Sequence, residues 1–336
     1  MAEDTNEEPN RTDDVTEVMR RRHAAVETPP ATVASVARRA TGRDAERIER
    51  IVRGYDSEVY RVALRAGEPV IVRIRRYGSV SYASEAWAIE ACRAAGAPVP
   101  DVLLVDTVPA DGAEREVMVQ RAVPGRPLSE LRGALSRSEL ARVWAQAGEA
   151  LARIHSVPAG GFYKMRRPGS WDFPDWESVA EAARRDRRSD LEELRGHGYG
   201  EADLEALWEM LEAGLSEFPC HAPSLLHGDY LPGHLFVDDG LRLRGVIDFG
   251  DFQGSPRIGD IANLRMNEPD VDLRWLRDGY GGQEPFDERF ERRLLLAGAG
   301  LQIGYLAHFL REGNAEEAAV VHRAIRETLA WWRAAT

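Results

Sequence analysis

The sequence predicts an α+β protein in two parts: a small antiparallel sheet lobe with one main helix, then a larger, mostly helical lobe. Three observations predict this. Short β-branched segments, "RIERIVRG", "EVYRVALRAG" and "EPVIVRIRR", follow one another with glycine-bearing breaks between them. After "VPGRPL" the pattern changes to long amphipathic helices. With 336 residues and 43% apolar content, the chain can bury a sizeable core and is longer than one small domain requires.

The elements follow in order. Residues 1–29 are polar and acidic, with one basic knot at Arg20–His23, and are expected to be a flexible, solvated segment. "PATVASVARRA" predicts a short helix with Thr32 as its N-cap. The three strand segments come next, and then "SYASEAWAIEACRAAGAPVP" reads as an amphipathic helix stopped by Gly96 and Pro98. "DVLLVD" and "EVMVQRAV" add two strands and close an N-terminal lobe over residues 30–122. A linker near Val123–Gly125 opens the helical lobe, residues 123–336. Its helices are "SRSELARVWAQAGEALARIHS", "ESVAEAARRDRRSDLEELRG", "EADLEALWEMLEAGL", "ERRLLLAGAGLQIGYLAHFLREG" and "EEAAVVHRAIRETLAWWRAA". A loop and hairpin around Leu225–Asp248 interrupt them. There is no internal repeat.

Composition excludes several functions. A net charge of −12 argues against nucleic acid or an anionic membrane as partner and suits a cationic small molecule. Cys92 and Cys220 are too few for a disulfide framework or a zinc site, and read as ordinary buried thiols. No apolar run is expected to reach the roughly 18 residues of a membrane span, and "MAEDTNEEPNRTDD" lacks the pattern of a secretory signal. The expectation is a cytoplasmic protein, monomeric or homodimeric. Lys164 is the single lysine, and no Gly-Lys-Ser/Thr triplet exists, which removes a Walker A loop. A serine-hydrolase elbow is missing too. "AGAGLQIG" lies in a helical run and reads as close helix packing, and Trp331 and Trp332 as core or cleft wall.

The informative stretch is "LLHGDYLPGHLF", Leu225–Phe236. Asp229 is followed five residues later by His234, then by an alternating run with an Asp239–Gly240 turn, then by Asp248-Phe249-Gly250. A loop aspartate, a metal-ligand position, a hairpin and an Asp-Phe-Gly triplet, in that order, are the parts of a protein-kinase-type phosphotransfer site. In such a site one carboxylate accepts the proton of the attacking hydroxyl, and a second holds Mg²⁺ against the nucleotide phosphates. No Ala-Pro-Glu segment follows Gly250, so a protein substrate is not indicated.

"LLHGDYLPGHLFV", "GVIDFGDFQGSPRIGDIANL", "GYDSEVYRV", "VIVRIRR", "SEAWAIEACRAAGAPVPDVL", "VMVQRAVPGRPL" and "LARIHSVP" together resemble the aminoglycoside phosphotransferase family. These are small-molecule kinases of the eukaryotic-like protein kinase fold, and the catalytic loop is also similar to that of macrolide phosphotransferases. The resemblance spans about Pro30 to Asn263. It implies a bilobal kinase-like fold, Asp229 as catalytic base, Asp248 as Mg²⁺ ligand and His227 as a packing residue. It also implies an ion pair between Glu85, with Glu90 as rival, and a strand cation. Arg73 stands where that cation is often lysine, with Arg75 as the alternative. The resemblance sets the turn at Gly54–Ser57 over the phosphates and main chain near Arg121 and Val123 against the nucleotide ring, leaving ATP and GTP open. At the usual asparagine metal ligand this chain has His234. Its imidazole reaches the metal, contacts a phosphate or only packs. For the acceptor the resemblance points to the insertion holding Trp171, Asp172, Asp175, Trp176 and Glu177, and to Asp251; the alternative for the insertion is a surface loop entering a helix. The implied activity is transfer of a γ-phosphate from ATP or GTP, with Mg²⁺, to a small-molecule hydroxyl on an antibiotic (aminoglycoside, macrolide or related), giving resistance. The alternatives are a sugar or amino-alcohol kinase and a catalytically silent nucleotide-binding module.

Overall fold

A computed structural model describes residues 26–52, 56–110, 112–282 and 284–335. The chain forms two compact units. One takes in residues up to Ala150 together with Arg166–Pro168 and Pro232–Gly250; the other comprises Leu151–Met165, Gly169–Leu231 and Asp251–Thr336.

In the first unit, helix α1 (Pro30–Thr41) lies on a five-stranded antiparallel sheet. The helix starts earlier than Thr32: Pro30 occupies its first turn, where a fixed φ and a missing N–H suit the position, and no side chain caps it. The strands are β1 (Ala45–Ile51), β2 (Ser57–Leu64), β3 (Val70–Arg75), β4 (Val102–Ala110) and β5 (Ala113–Arg121), in the order β1-β2-β3-β5-β4. Val33, Val36 and Ala37 of α1 pack with Tyr60, Val62, Val70, Val72, Ile74, Val117 and Val119. Because side chains alternate along a strand, burying Val70, Val72 and Ile74 puts Arg73 and Arg75 on the opposite face.

Helix α2 (Tyr82–Ala94) lies between β3 and β4 in the chain. Its N-cap is Ser81, whose hydroxyl accepts from the Ser84 amide at 3.1 Å. Most of the tail expected to be flexible lies outside the described residues, but its end is tied down. Thr28 is buried, donates its amide to Glu58 at 2.8 Å and accepts from Arg76 at 2.9 Å.

The rest of this unit includes β6 (Arg126–Pro127), α3 (Leu128–Leu131) and the hairpin of β10 (Leu235–Val237) and β11 (Leu243–Val246), which pair in the order β11-β10-β6. The turn expected at Asp239–Gly240 is present, with Asp238 accepting from the Gly240 and Arg242 amides at 2.9 and 3.0 Å. Its left-handed residue is Leu241, not the glycine. Helix α4 (Arg137–His155) begins in this unit and ends in the other.

The second unit has a short sheet where the sequence suggested a loop: β7 (Phe162–Arg167), β8 (Ser170–Phe173), β9 (Ser224–Leu226) and β12 (Gln253–Ser255), in the order β8-β7-β12-β9. Around it run α5 (Trp176–Gly196), α6 (Glu201–Glu217), α7 (Ile258–Asn267), α8 (Leu273–Tyr280), α9 (Phe290–Arg311) and α10 (Ala315–Ala335). α7 and α8 were not anticipated, being short and broken by "NEPD". Leu194, Leu207, Met210, Ile303, Leu306, Ile325, Leu329 and Trp332 form one core, whereas Trp331 is exposed and lies outside it. Contrary to the sequence expectation, α9 is long and apolar enough, by length and composition, to cross a bilayer; here Leu294, Ala299, Ile303 and Leu306 on it are buried in this unit. The small residues of "AGAGLQIG" serve helix contact: Arg187 of α5 donates to the Gly300 carbonyl at 3.1 Å, and its guanidinium lies where a side chain at Gly304 would fall.

Candidate active site

In the first unit, Arg73 ties two acidic residues together. Its Nη1 donates to Glu85 on α2, and its Nη2 donates to Asp248 Oδ1 at 3.0 Å. Glu85 is 3% exposed and Arg73 12%, so this pair is shielded from solvent and screening. Burial works against the Arg73 charge, but Glu85 and then Asp248 more than offset it, and the guanidinium stays firmly protonated. It also stands 5.4 Å from the Tyr82 ring centroid. The Ser57 hydroxyl, expected near the phosphates, shares a 2.7 Å hydrogen bond with the Tyr82 hydroxyl. Arg75 is engaged elsewhere, 3.0 Å from Glu116, and Glu90 lies 3.7 Å from Arg93.

Asp248 follows β11 with φ +66°, a left-handed backbone uncommon outside glycine. The adjacent Ile247 amide donates to the His234 carbonyl at 3.0 Å, and His234 Nε2 lies 3.8 Å from Asp248 Oδ2. Arg73 therefore holds one carboxylate oxygen, and the other is near an imidazole nitrogen. Among the described residues, no group of three or more His, Cys, Asp or Glu side chains forms a metal cage. Mg²⁺ in kinases needs only one or two protein carboxylates, with phosphate oxygens and waters completing its shell, so Asp248 with His234 fits a nucleotide-bridged ion.

For the nucleotide ring, Arg121 pairs with Glu68 and Asp101 at 3.0 and 3.1 Å, and the Arg121 and Ala122 amides donate to the Asp101 and Pro69 carbonyls. Val123 packs against Gly245. Gly54 lies outside the described residues.

In the second unit, the loop after β9 carries His227, Gly228 and Asp229. Asp260 of α7 braces it by accepting the His227 amide at 2.8 Å and the Gly228 amide at 2.7 Å. Asn263, one turn on along the same helix face, donates to the Gly228 carbonyl at 3.2 Å. His155 Nε2 lies 3.0 Å from Asp260, and His155 Nδ1 lies 2.9 Å from the Tyr280 hydroxyl, which burial pushes up to about 12. Burial opposes the Asp260 charge, but the hydrogen bond and charge of His155, with His227 and the Gly228 amide, hold its carboxyl below the usual carboxylate range.

Gly228 is needed where it stands. Its φ is +84°, and a Cβ there would fall 2.0 Å from the Asp251 carbonyl oxygen. His227 is fully buried, and its Nδ1 accepts the Asp229 amide at 3.2 Å. Sequence reading assigned no role to His155, Asp260, Asn263 or Tyr280. The available signals were His155 within "LARIHSVP" and the i, i+3 spacing of Asp260 and Asn263 within "GSPRIGDIANL".

The expected acceptor residues separate. Asp175 caps α5, accepting the Ser178 amide at 2.8 Å, and Trp176 donates to the Leu215 carbonyl at 3.2 Å and packs on Phe162. Trp171 fills the space over Gly161 and meets Phe252 edge-on. Three of these side chains thus hold the fold, and the insertion enters α5 through the strands β7 and β8 rather than as the surface loop that was the alternative. Asp172 is half-buried in β8, and Glu177 lies in the first turn of α5. Asp251 stays exposed and pairs with Lys164 at 2.8 Å.

A sheet unit with this cation–carboxylate bridge and a helical unit with a braced His-Gly-Asp loop define a kinase-like phosphotransferase fold. The chain belongs to the phosphotransferase enzyme family (APH), whose model matches residues 47–296. No curated protein matches it. Solved structures that share the fold include the following three. A thermostable mutant of aminoglycoside phosphotransferase APH(4)-Ia, in ternary complex with ADP and hygromycin B, is 16% identical with a TM-score of 0.67, covering 89% of this chain and 98% of that one. The putative fructosamine-3-kinase of Thermobifida fusca is 20% identical with a TM-score of 0.60, covering 88% and 100%. The macrolide 2'-phosphotransferase MphH of Brachybacterium faecium is 22% identical with a TM-score of 0.55, covering 86% and 97%.

Proposed function

We propose that this protein is a cytoplasmic kinase that moves the γ-phosphate of ATP or GTP to a hydroxyl of a small-molecule antibiotic and so inactivates it. The observation that carries the reading is Arg73 bridging Glu85 and Asp248, because it assembles the phosphate-gripping cation and the metal aspartate in one place. Asp229 accepts the acceptor's hydroxyl proton as its oxygen bonds to the γ-phosphorus; the bond to the β–γ bridging oxygen breaks, and the nucleoside diphosphate leaves. Arg73 orients Asp248 and offers its charge to the phosphates. Asp248, with His234, would hold Mg²⁺, which when bound neutralises charge on the β- and γ-phosphates. Of the residues expected at the acceptor, this reading keeps Asp172 and the exposed Asp251 and releases Trp171, which packs over Gly161.

The aminoglycoside and macrolide kinases of the same fold support an antibiotic acceptor, and the fructosamine kinase favours a second reading, a kinase of amino sugars or related metabolites. The test is transfer from γ-labelled ATP and GTP, with Mg²⁺, to a panel of aminoglycosides, macrolides, fructosyl amines and simple sugars, with Asp229→Asn as blank. Labelled product on one class names the acceptor. Tight nucleotide binding without transfer to any of them would turn the reading toward a silent nucleotide-binding module.

A further inference from the structure

Strand β2 carries different loads on its two faces. Alternation puts Ser57 and Val59 on one face, where Val59 lies opposite Arg73 of β3, and Glu58 and Tyr60 on the other, where Glu58 lies opposite Ile74. The Ser57 hydroxyl meets that of Tyr82, whose ring stands beside the Arg73 guanidinium. Behind it, Glu58 is 1% exposed and forms an ion pair with Arg76, whose side chain is 3% exposed. A charge pair buried so deeply needs further hydrogen bonds to offset its lost hydration. Burial opposes the Glu58 charge, but Tyr60, the Thr28 amide and Arg76 outweigh it and hold its carboxyl below the usual range.

The segment in front of α1 supplies those bonds. The Thr28 amide donates to Glu58 Oε2 at 2.8 Å and its hydroxyl to Oε1 at 3.1 Å, while Arg76 Nη2 donates to that hydroxyl at 2.9 Å. Two residues earlier, the Val26 carbonyl accepts from Arg50 of β1 at 2.7 Å. Residues 26–28 are thus tied to one end of β1, β2 and β3 together. Arg76 also grips the chain entering β2, because its amide and that of Tyr77 donate to the Asp56 carbonyl at 2.8 and 3.0 Å. One residue therefore holds Thr28 and Glu58 through its side chain, and Asp56, next to Ser57, through its backbone.

We propose that residues 26–28 are a strap that positions Asp56 and Ser57, the end of the phosphate turn, so that affinity for nucleotide phosphates depends on the chain in front of α1. The inference rests on the kinase reading above and goes beyond it, making Thr28, Glu58 and Arg76 positioning residues that act from the face of the sheet opposite Arg73. Releasing the strap leaves a buried carboxylate and guanidinium short of hydrogen bonds, and water supplies them only when this end of β2 opens. Asp56 and Ser57 move with it. The linker main chain does not, because Arg121 pairs with Val70 at the start of β3, whereas Ser57 pairs with Arg75 at its end. Contacts to the phosphates and contacts to the base are therefore separable.

Calorimetric titration of ATP, GTP, adenosine and guanosine, with Mg²⁺, into the full chain tests this without requiring turnover. Thr28→Val and Glu58→Gln are each expected to weaken the triphosphates about tenfold, as one or two buried hydrogen bonds are lost, and to leave the nucleosides within about twofold. Thr28→Ser keeps the hydroxyl and should bind as wild type does. Val108→Ala, a core change on β4 at the far edge of the sheet, should lower the melting temperature and leave triphosphate affinity unchanged. Unchanged triphosphate affinity in Thr28→Val and Glu58→Gln, a parallel loss of nucleoside binding, or the same loss in Val108→Ala overturns the strap. A wild type that binds neither triphosphate overturns the strap and the kinase reading together. Strap-dependent binding without phosphate transfer to any acceptor overturns the kinase reading alone.

Discussion

Arg73 Nη2 donates to Asp248 Oδ1 at 3.0 Å while Nη1 of the same guanidinium donates to Glu85, so one cation spans residues from β3, α2 and the segment after β11. A planar fork serves two acceptors at once, which the compact lysine ammonium does less well. Arg73→Lys should keep the fold but weaken ATP or GTP binding about tenfold, about 1.4 kcal/mol, by calorimetry. Arg73→Met leaves Glu85 buried without its partner and should cost about 3–5 kcal/mol in denaturant unfolding.

Asp260 charges the brace under the aspartate loop. Its folded-state carboxyl is depressed, so its stabilisation is fully present above the ordinary value near 4 and is lost as pH falls below that toward the folded-state value. Wild type should therefore lose stability on acidification below about pH 4 more steeply than Asp260→Asn. At pH 7 the variant, which turns an amide N–H toward an existing donor, should be about 2–4 kcal/mol less stable. Melting curves across the pH range check both.

Gly228→Ala meets two obstacles together: a left-handed backbone and a carbonyl oxygen 2.0 Å from the added carbon. The alanine should cost at least about 2 kcal/mol and displace the loop, so transfer falls even where the protein remains folded. Comparing residual transfer with residual folded fraction separates the two effects.

Asp229→Asn keeps size and loses basicity. Transfer should drop by about 10²–10⁴-fold, with melting temperature and nucleotide affinity nearly unchanged. Asp248→Ala should instead abolish the metal-dependent part of nucleotide binding, read as the difference between titrations with and without Mg²⁺.

His234→Asn tests the nitrogen standing 3.8 Å from Asp248. If His234 reaches the ion, the change to an oxygen donor should shift preference from Mn²⁺ toward Mg²⁺ in transfer assays. Metal dependence identical to wild type would show that the imidazole only packs.

By itself, the sequence determined the five strands of the first sheet, the long helices and the positions of the His-Gly-Asp and Asp-Phe-Gly motifs, but not α7, α8 or the sheet of β7, β8, β9 and β12. Each is written locally, in an alternation of period two, a helical repeat or a run of adjacent residues. It also offered Arg73 and Glu85 as partners, with Arg75 as an alternative because both arginines lie on one strand face. Only the tertiary structure decided that choice of contacts, and it decided the brace of His155, Asp260 and Asn263, the capping use of Asp175 and the tie of Thr28 to Glu58 and Arg76. The physical reason is separation along the chain. Arg73 and Asp248 are 175 residues apart and His155 and Asp260 are 105 apart, and no local pattern encodes which distant donor a buried carboxylate will meet. Packing makes that selection, by bringing to each buried charge the distant partners that satisfy it.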